Sequence, residues 1–348
     1  MAVELTSLAD VLALRFDDVI DVRAPLEYAD DHLPGAISLP VLDDAERARV
    51  GTIYKQVSPF DARKIGAALV ARNASMHLQG PLADKPGSWQ PLVYCWRGGQ
   101  RSGSFASILS QIGWRVEVLR GGYKSWRSLV VAALYDHPIP SPVIVLDGNT
   151  GTAKTEVLNL LPALGVQVID LEALAHHRGS LFGAVGTQPA QRGFEGALAL
   201  ALARLDPARP VVVEAESSKI GNLRLPPRLW RAMVDAPRLV VTAPLDARAR
   251  YLTTTYTDLV SDLARLDHVL QRLRPAHPAE VIADWRKLAD TGQFTALAAG
   301  LMQRHYDPRY AKHRARSAPP RAEFAVDTLT PASLLHLAQR IAAWVDRA

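Results

Sequence analysis

The sequence predicts an α/β protein of two domains, in which a parallel-sheet domain precedes a second α/β domain with a helical C-terminal part. Short apolar runs alternate with helical patterns between residues 18 and 131, the order expected of a parallel sheet covered by helices. Three prolines fall within residues 136–142, where neither a helix nor a central strand tolerates them. We therefore predict the boundary there, with domains over residues 1–137 and 138–348.

In the first domain, a short apolar run predicts each strand, and apolar residues that recur every three to four positions predict each helix. Phe105, Ile108, Leu109 and Ile112, for example, predict a helix that begins near Ser102. The predicted strands lie at residues 18–23, 36–39, 92–94 and 116–119, and the helices start near 25, 59, 102 and 122. Because ligands bind at the carboxyl ends of parallel strands, the residues that follow residue 94 are expected at a binding edge.

In the second domain, the run 143–147 is apolar enough to be a strand buried on both faces. Further strands are predicted at residues 166–169 and 211–214, and an amphipathic helix at 194–205. From about residue 245 the chain is predicted to be mainly helical, with a last helix over 334–345. The carboxyl ends of these strands define a second candidate binding edge.

The composition limits the class of protein. The chain has 348 residues, 48% of them hydrophobic, which suffices for two cores. Its one cysteine excludes a disulfide framework and a cysteine-based zinc site and fits a reducing compartment, so we expect a cytoplasmic location. No run resembles a signal peptide or a membrane span of ~18 apolar residues. The net charge of +5 favours a polyanionic partner.

That cysteine, Cys95, lies in a glycine-rich turn between a predicted strand and a predicted helix. Backbone N–H groups and a helix N-terminus in such a turn favour an anion, and Arg97 and Arg101 add positive charge. The thiol pKa is therefore expected to fall below ~8.5, as in reactive cysteines. We interpret Cys95 as a nucleophile with Arg97 and Arg101 beside it. The other members of the anion loop are Trp96, Gly98, Gly99, Gln100 and Ser102.

Several motifs in order resemble the signatures of a rhodanese domain, namely Asp21-Val22-Arg23, Glu27-Tyr28, His32-Leu33-Pro34-Gly35-Ala36, the Cys95 loop and Gly121-Gly122-Tyr123. In that family the loop cysteine carries a transferable chalcogen. The resemblance implies that Asp21 and Arg23 brace the loop, and a structural ion pair is the simplest form of that role. His32 is expected to fix a turn rather than to act as a base.

The length of the loop leaves two interpretations open. Arg101 lies six positions after Cys95, whereas sulfur-transferring rhodaneses usually have an arginine or an equivalent five positions after the cysteine. This Cys-x5-Arg spacing resembles the phosphate loop of rhodanese-fold and tyrosine phosphatases, in which more N–H groups surround a tetrahedral anion. The loop therefore fits a phosphatase, or a transferase that takes its chalcogen from a phosphorylated donor.

A P-loop pattern opens the second domain, since the buried strand leads into a glycine turn and a helix. Lys154 and the backbone amides are predicted to hold a diphosphate, and Thr155 could ligate Mg²⁺. Ala153 replaces the usual glycine, and a clear Walker-B aspartate is missing, so diphosphate binding is favoured over nucleotide hydrolysis. The predicted diphosphate-binding residues are Gly148, Asn149, Thr150, Gly151, Thr152, Ala153, Lys154 and Thr155.

Two further groups of residues are candidates, each with a solvated loop or a solvated face as the alternative. The first group follows the strands of the second domain and consists of Asp170, Glu172, Arg178, Glu214, Glu216 and Lys219. The second interleaves cations with tyrosines, a pattern that binds RNA backbones and unpaired bases. Its candidate RNA contacts are Arg304, Tyr306, Arg309, Tyr310, Lys312, Arg314 and Arg316. No metal site is predicted, because the adjacent His176 and His177 would point apart on a helix.

Taken together, the motifs resemble the tRNA 2-selenouridine synthase family over nearly the whole chain. The second-domain motifs are Asp170-Leu171-Glu172, His177-Arg178-Gly179-Ser180, Glu214-Ala215-Glu216-Ser217 and His305-Tyr306-Asp307-Pro308. The resemblance implies that 2-thiouridine at the wobble position of tRNA is S-geranylated from geranyl diphosphate and then selenated from selenophosphate through Cys95. It implies no permanently bound cofactor. The alternatives are a Cys-x5-Arg phosphatase, a non-catalytic tRNA- or nucleotide-binding module, and a tRNA sulfurtransferase.

Overall fold

The computed structural model describes residues 2–179, 183, 186–315 and 318–347, and of Asp258, Leu259 and His313 it describes the backbone alone. Two compact units make up this part of the chain. The first unit runs up to Pro138 and includes Pro189–Arg204, and the second unit comprises Ile139–Gln188 and the chain from Leu205 onward. The predicted class, α/β with parallel sheets, is confirmed.

Strands and helices alternate through both units. The strands are β1 (Ala2–Val3), β2 (Asp18–Asp21), β3 (Ala36–Ser38), β4 (Pro91–Tyr94), β5 (Glu117–Leu119), β6 (Val143–Gly148), β7 (Gln167–Ile169), β8 (Val211–Glu214), β9 (Lys219–Ile220), β10 (Leu223–Arg224), β11 (Arg238–Thr242) and β12 (Ala322–Ala325). The helices are α1 (Leu8–Leu12), α2 (Pro25–Asp30), α3 (Asp44–Gln56), α4 (Pro59–Gln79), α5 (Gln100–Ile112), α6 (Gly122–Val131), α7 (Lys154–Leu160), α8 (Leu171–Leu174), α9 (Gln191–Ala203), α10 (Pro227–Asp235), α11 (Leu245–Thr255), α12 (Thr257–Val260), α13 (Leu263–Gln271), α14 (Ala279–Asp290), α15 (Phe294–Leu301), α16 (Asp307–Arg314) and α17 (Pro331–Val345).

The first unit is built on a parallel sheet of order β1-β5-β4-β2-β3. All four residues of β4 are buried, which explains the unbroken apolar run that predicts it. Helices α3 and α4 begin at the caps Asp43 and Ser58, whose side chains accept N–H groups of the first turn. Because β4 is central, its carboxyl end places the Cys95 loop between neighbouring strands.

The second unit has a parallel sheet of order β12-β11-β6-β8-β7 and a small antiparallel hairpin, β9–β10. Strand β6 is central and all six of its residues are buried. Helices α7 and α17 pack against this sheet through Val157, Leu158, Leu337 and Ile341, each with no exposed surface. The P-loop leaves the carboxyl end of β6, as the sequence predicts.

Helix α9 is the main departure from the predicted domain limits, which place it in the second domain. It packs within the first unit, where Gly196 lies so close to Trp126 that an added Cβ would be 3.1 Å from the indole. The buried Glu195 accepts hydrogen bonds from Arg127 and from the Tyr135 hydroxyl at 2.8 Å. A helical pattern reveals which face of α9 is apolar but not which core that face covers.

The second unit also contains four strands that the sequence analysis does not predict, namely β9, β10, β11 and β12. Strand β12 lies inside the region expected to be mainly helical and pairs in parallel with β11. Within the region predicted to be mainly helical, α12 and α13 are separate helices, and Asp262 caps the second. No helix in the described ranges is both long and apolar enough to span a membrane.

Candidate functional site

The Cys95 thiol lies in a ring of polar groups at the start of α5. Its Sγ is 3.3 Å from the backbone N of Gly99 and 3.2 Å from the hydroxyl oxygen of Ser102, and both groups can donate to it. Cys95 is only 4% exposed, so the sulfur lies at the bottom of the loop. The structure thus brings Cys95, Gly99 and Ser102 together as predicted.

The environment lowers the pKa of Cys95. Burial acts in the opposite direction, because it disfavours the charged thiolate, but the Ser102 hydroxyl and the backbone N–H groups of Ser102 and Arg97 outweigh it. The charge of Arg101 contributes less than these hydrogen bonds. The predicted direction is therefore right, whereas its main cause is the hydrogen-bond donors rather than the arginine side chains.

Two glycines give the loop its shape. Gly98 has a φ of +65°, and a Cβ added there would lie 2.5 Å from the carbonyl oxygen of Leu119. At Gly122, with a φ of +57°, an added Cβ would lie 2.2 Å from the carbonyl oxygen of Cys95. The backbone N–H of Tyr123 donates to that same oxygen at 2.8 Å. The Gly121-Gly122-Tyr123 motif therefore supports the Cys95 loop from the N-terminus of α6.

A glycine substitution can test this support. In Gly122→Ala we expect the free energy of unfolding to fall by at least ~2 kcal/mol, because a positive φ and a backbone clash act together. Gly121→Ala is the matched control, since its φ is also positive (+74°) but its added Cβ would meet only the Ser125 side chain, at 3.2 Å. Urea unfolding measures the free energy of unfolding, and the rate of Cys95 alkylation reports whether the loop around the thiol is intact. Equal results for both variants would contradict the proposed contact.

Arg101 is held by Glu27, a partner that the loop sequence does not reveal. Its Nη1 donates to Glu27 Oε2 at 2.8 Å, and Arg47 lies 3.6 Å from the same carboxylate oxygen. Although burial acts to raise the pKa of Glu27, the hydrogen bond and charge of Arg101 lower it. The Glu27-Tyr28 motif thus fixes the second loop arginine, while Arg97 is exposed.

Asp21 and Arg23 form a buried ion pair under the loop. Arg23 Nη2 donates to Asp21 Oδ2 at 2.6 Å, and both residues are at most 1% exposed. The guanidinium lies 4.0 Å from the centre of the Tyr123 ring and 5.9 Å from that of Trp96. The contact with Trp96 agrees with a bracing role. His32 stacks on Tyr28 at 3.9 Å within the preceding turn.

The P-loop of the second unit has left-handed backbone at two positions. Gly151 has a φ of +83°, and the backbone and side chain of Arg248 would lie 3.1 Å from an added Cβ. Ala153 has a φ of +58°, although it carries a Cβ. That conformation costs about 1–2 kcal/mol for an alanine and explains why glycine is usual there. Gly148 lies close to Thr152, whose hydroxyl donates to the carbonyl of Asn149 at 2.8 Å.

Lys154 and Thr155 face acidic side chains from two neighbouring segments. The Thr155 hydroxyl donates to Glu172 Oε2 at 3.1 Å. Burial alone would lower the pKa of Lys154, but Tyr310, Glu172 and Glu216 raise it, so the ammonium is charged. Burial raises the pKa of Glu216 to about 8, against the opposing effect of Lys154. The site therefore holds a positive charge for a phosphate and a carboxyl group that can become neutral.

Two other predicted acids form the floor of this site. Glu214 has no exposed surface, and its Oε1 accepts the backbone N–H of Glu172 at 2.7 Å. Burial and the charge of Asp170 raise the pKa of Glu214. Asp170 caps α8 by accepting the N–H of Ala173 at 2.7 Å. Both acids therefore hold α8, and with it Glu172, in place.

The segment after α8 closes over the carboxylates. Gly179 has a φ of +67°, and an added Cβ would lie 2.4 Å from Glu216 Oε1 and 2.6 Å from Glu172 Oε1. Arg178 lies 4.8 Å from the centre of the Tyr256 ring. Lys219 is exposed on the β9–β10 hairpin. Ser180 of the predicted motif lies outside the described residues.

A network that the sequence analysis does not identify holds the start of the P-loop. Arg248, 6% exposed, donates to the carbonyl of Thr150 at 3.1 Å and to Asp307 at 2.8 and 3.0 Å. Asp307 also accepts a hydrogen bond from Asn149 at 2.9 Å. The only sequence signal of this network is the His305-Tyr306-Asp307-Pro308 motif. The motif does not reveal which residues bind Asp307.

An apolar pocket opens beside Thr150 of the P-loop. Helices α11, α13 and α15 supply most of its wall, together with Met302 and Tyr306 from the turn after α15. Its apolar lining includes Leu252, Tyr256, Leu266, Phe294, Leu297 and Leu301. A hydrocarbon chain fits such a lining, and a charged group does not.

The candidate tRNA contacts divide into inward and outward groups. Tyr306 lines the apolar pocket, and Arg314 donates to Asp147 at 3.2 Å and to Asn149 at 2.5 Å. Tyr310 is half-buried near Lys154. The exposed members are Arg304, Arg309 and Lys312, and Arg316 lies outside the described residues. Among the candidates that the structure describes, this exposed group is the one accessible to RNA.

Comparison with known proteins shows the family to which the chain belongs. A rhodanese-like domain model matches residues 5–129, and a model described as tRNA 2-selenouridine synthase AAA domain matches residues 141–272. The tRNA 2-selenouridine synthase of Pseudomonas syringae pv. tomato is 32% identical over 349 residues, which cover 91% of this chain and 94% of that protein. The chain belongs to the tRNA 2-selenouridine synthase family. Another member, from Chromohalobacter salexigens, is 38% identical over 73% of this chain and 69% of that protein.

Both candidate sites of this tRNA 2-selenouridine synthase family member lie inside the matched regions, whereas Asp307 lies beyond them. Among solved structures, the N-terminal domain of a putative ATP/GTP binding protein from Clostridium difficile 630 is similar, with 34% identity and a TM-score of 0.33. The match covers 38% of this chain and 99% of the Clostridium difficile domain.

Proposed function

We propose that this protein converts 2-thiouridine at the wobble position of tRNA into 2-selenouridine in two steps. The second unit geranylates the sulfur with geranyl diphosphate, and the Cys95 loop then exchanges the geranylated sulfur for selenium from selenophosphate. The similarity to tRNA 2-selenouridine synthases of other bacteria supports the overall conversion. The division into two steps rests on the chemistry of the two sites.

The observation that carries the first step is the apolar pocket beside the P-loop. Geranyl diphosphate combines a hydrocarbon chain with a diphosphate, and Thr150 belongs both to the pocket lining and to the P-loop. The hydrocarbon would fill the pocket, while Lys154 and the backbone amides would bind the diphosphate. Nucleotide hydrolysis at a P-loop does not require a hydrocarbon pocket at this position.

In this step the thiocarbonyl sulfur attacks C1 of the geranyl group. The new C–S bond forms as the C–O bond to the diphosphate breaks, and the base loses its N3 proton. Lys154 would stabilise the negative charge that develops on the leaving diphosphate. A Mg²⁺ ion bound with the diphosphate would be held by the Thr155 hydroxyl and the Glu172 carboxylate, and would neutralise part of the same charge.

The second step replaces the geranylated sulfur. Alkylation makes C2 of the base electrophilic and turns the sulfur into a leaving group, geranyl thiol. The net exchange consumes selenophosphate and water and releases phosphate and geranyl thiol, with no change of oxidation state. Cys95, with its lowered thiol pKa, would attack the phosphorus of selenophosphate, so that an S–P bond forms as the P–Se bond breaks. The selenide released would attack C2 as geranyl thiol leaves, and water would then hydrolyse the S–P bond to give phosphate. Arg97 and Arg101 would hold the phosphate portion.

Omission of each donor in turn tests this proposal. The protein is incubated with 2-thiouridine tRNA, geranyl diphosphate and selenophosphate, and the nucleosides are analysed by mass spectrometry. Without selenophosphate we expect S-geranyl-2-thiouridine, and without geranyl diphosphate we expect unchanged 2-thiouridine. Formation of 2-selenouridine in the absence of geranyl diphosphate would contradict the two-step scheme. Phosphate release without tRNA would favour the Cys-x5-Arg phosphatase.

A further inference from the structure

A groove leads across the first unit to the Cys95 sulfur. One wall is the Cys95 loop, and the other is formed by Leu42 and helices α3 and α4. Small residues, including Gly51, Ala62 and Gly66, keep the helical wall open. Because Cys95 is nearly buried, a base that reaches its sulfur from this groove must be unpaired and turned out of its stack.

The groove is cationic. Its lining contains five arginine or lysine residues and, in the described ranges, no carboxylate. Arg47 and Arg101 share Glu27, which offsets part of their charge. Lys55, Arg63 and Arg97 are exposed and form no ion pair with any residue that the structure describes. These free charges favour a polyanion over the single small anion that the loop itself can hold.

Exposed aromatic and apolar side chains line the groove or are close in sequence to residues that line it. Tyr54 lines the groove and is 54% exposed. Val57 and Phe60, at the corner between α3 and α4, are 75% and 65% exposed. Isolated exposed apolar residues are common, but three within seven positions beside free cations form a stacking surface of the kind that binds unpaired bases.

We propose that this groove binds the unpaired strand of tRNA that carries the target uridine. Lys55 and Arg63 contact its phosphates, and Tyr54 stacks on a base next to the target. The chemistry requires such a path, because the base must reach Cys95 while it remains covalently part of its strand. This inference rests on the proposed function and assigns to it a docking surface distinct from the candidate contacts in residues 304–316.

Binding of tRNA to the full-length protein tests the proposal by fluorescence anisotropy at several salt concentrations. The charge reversals Lys55→Glu and Arg63→Glu together should weaken binding at least tenfold and reduce the log–log salt slope by about 1.4, at ~0.7 per phosphate contact on a single strand. Tyr54→Ala should weaken binding about fivefold or more, and Tyr54→Phe should restore it, because the ring retains its stacking face.

Arg115→Glu and Ile112→Ala are the matched controls. Both residues are exposed on the first unit, but Ile112 ends α5 and Arg115 lies between α5 and β5, at the amino ends of the strands and away from Cys95. We expect wild-type affinity from both. Cys95 alkylation by iodoacetamide at the wild-type rate confirms that the groove variants keep an intact loop.

Unchanged tRNA affinity and salt slope in the charge-reversed protein would overturn the proposal. Loss of selenophosphate use at wild-type tRNA affinity would also overturn it, because the groove would then serve the small donor. A failure of the proposed function gives a different result, in which tRNA binding depends on Lys55 and Arg63 but the wild-type protein forms no 2-selenouridine. That result would leave the docking surface supported.

Discussion

Cys95→Ser protein is expected to accumulate S-geranyl-2-thiouridine in tRNA while the formation of 2-selenouridine falls by on the order of 10³-fold or more. The serine hydroxyl fits the same ring of donors formed by Gly99 and Ser102, so the loop is kept. It ionises far less readily than the thiol, and the nucleophile is lost. Nucleoside mass spectrometry with both donors present measures both products.

The pH dependence provides a second readout of the same residue. Since the pKa of Cys95 is lowered, the thiolate is present above that lowered value and disappears as the pH falls through it. Selenation by the wild-type protein should therefore reach its plateau below the usual thiol range, whereas geranylation should not follow this titration. Full selenation by the serine variant would refute the role of Cys95.

Lys154→Ala protein is expected to lose the S-geranyl product by about 10²-fold or more, since one charged donor to the leaving diphosphate is removed. Burial raises the pKa of Glu216 and Lys154 opposes that effect, so without the lysine the pKa of Glu216 rises further and the site lacks the positive charge of the lysine for the diphosphate. A time course of S-geranyl-2-thiouridine at saturating tRNA measures the loss.

Two comparisons make the lysine result specific. Lys287→Ala, on the exposed face of α14, removes a lysine elsewhere in the same unit and should geranylate normally. When the Lys154→Ala protein is supplied with tRNA that is already S-geranylated, it should still selenate, because the Cys95 loop is untouched. Normal geranylation by Lys154→Ala would rule out the P-loop as the diphosphate site.

The two loops were predictable because each is determined by neighbours in the chain. Cys95 and Ser102 are seven positions apart, and a strand, a glycine turn and a helix N-terminus bring them together without any distant partner. The same holds for Lys154, although its left-handed neighbour Ala153 shows that the turn persists at a position where the sequence departs from glycine. Local backbone chemistry is therefore sufficient to predict where the Cys95 thiol and the Lys154 ammonium lie.

The supporting residues could not be predicted, because their partners are distant in sequence. Arg101 is fixed by Glu27, 74 positions away, and Asn149 by Asp307, 158 positions away. Strand β12 is four residues long and pairs with β11, some 80 positions earlier, so its short pattern is lost among helices. The apolar pocket is likewise assembled from three separate helices and has no continuous sequence signal.

Helix α9 has a consequence for the order in which the molecule can be made. The first unit includes Pro189–Arg204, so the ribosome must synthesise the chain up to Pro138 and then this later segment before the unit is complete. Until α9 emerges, Trp126 has no cover on one side, and the Arg127 guanidinium lacks the carboxylate of Glu195. The unit that contains Cys95 is therefore completed by chain that emerges only after β6 and β7 of the second unit.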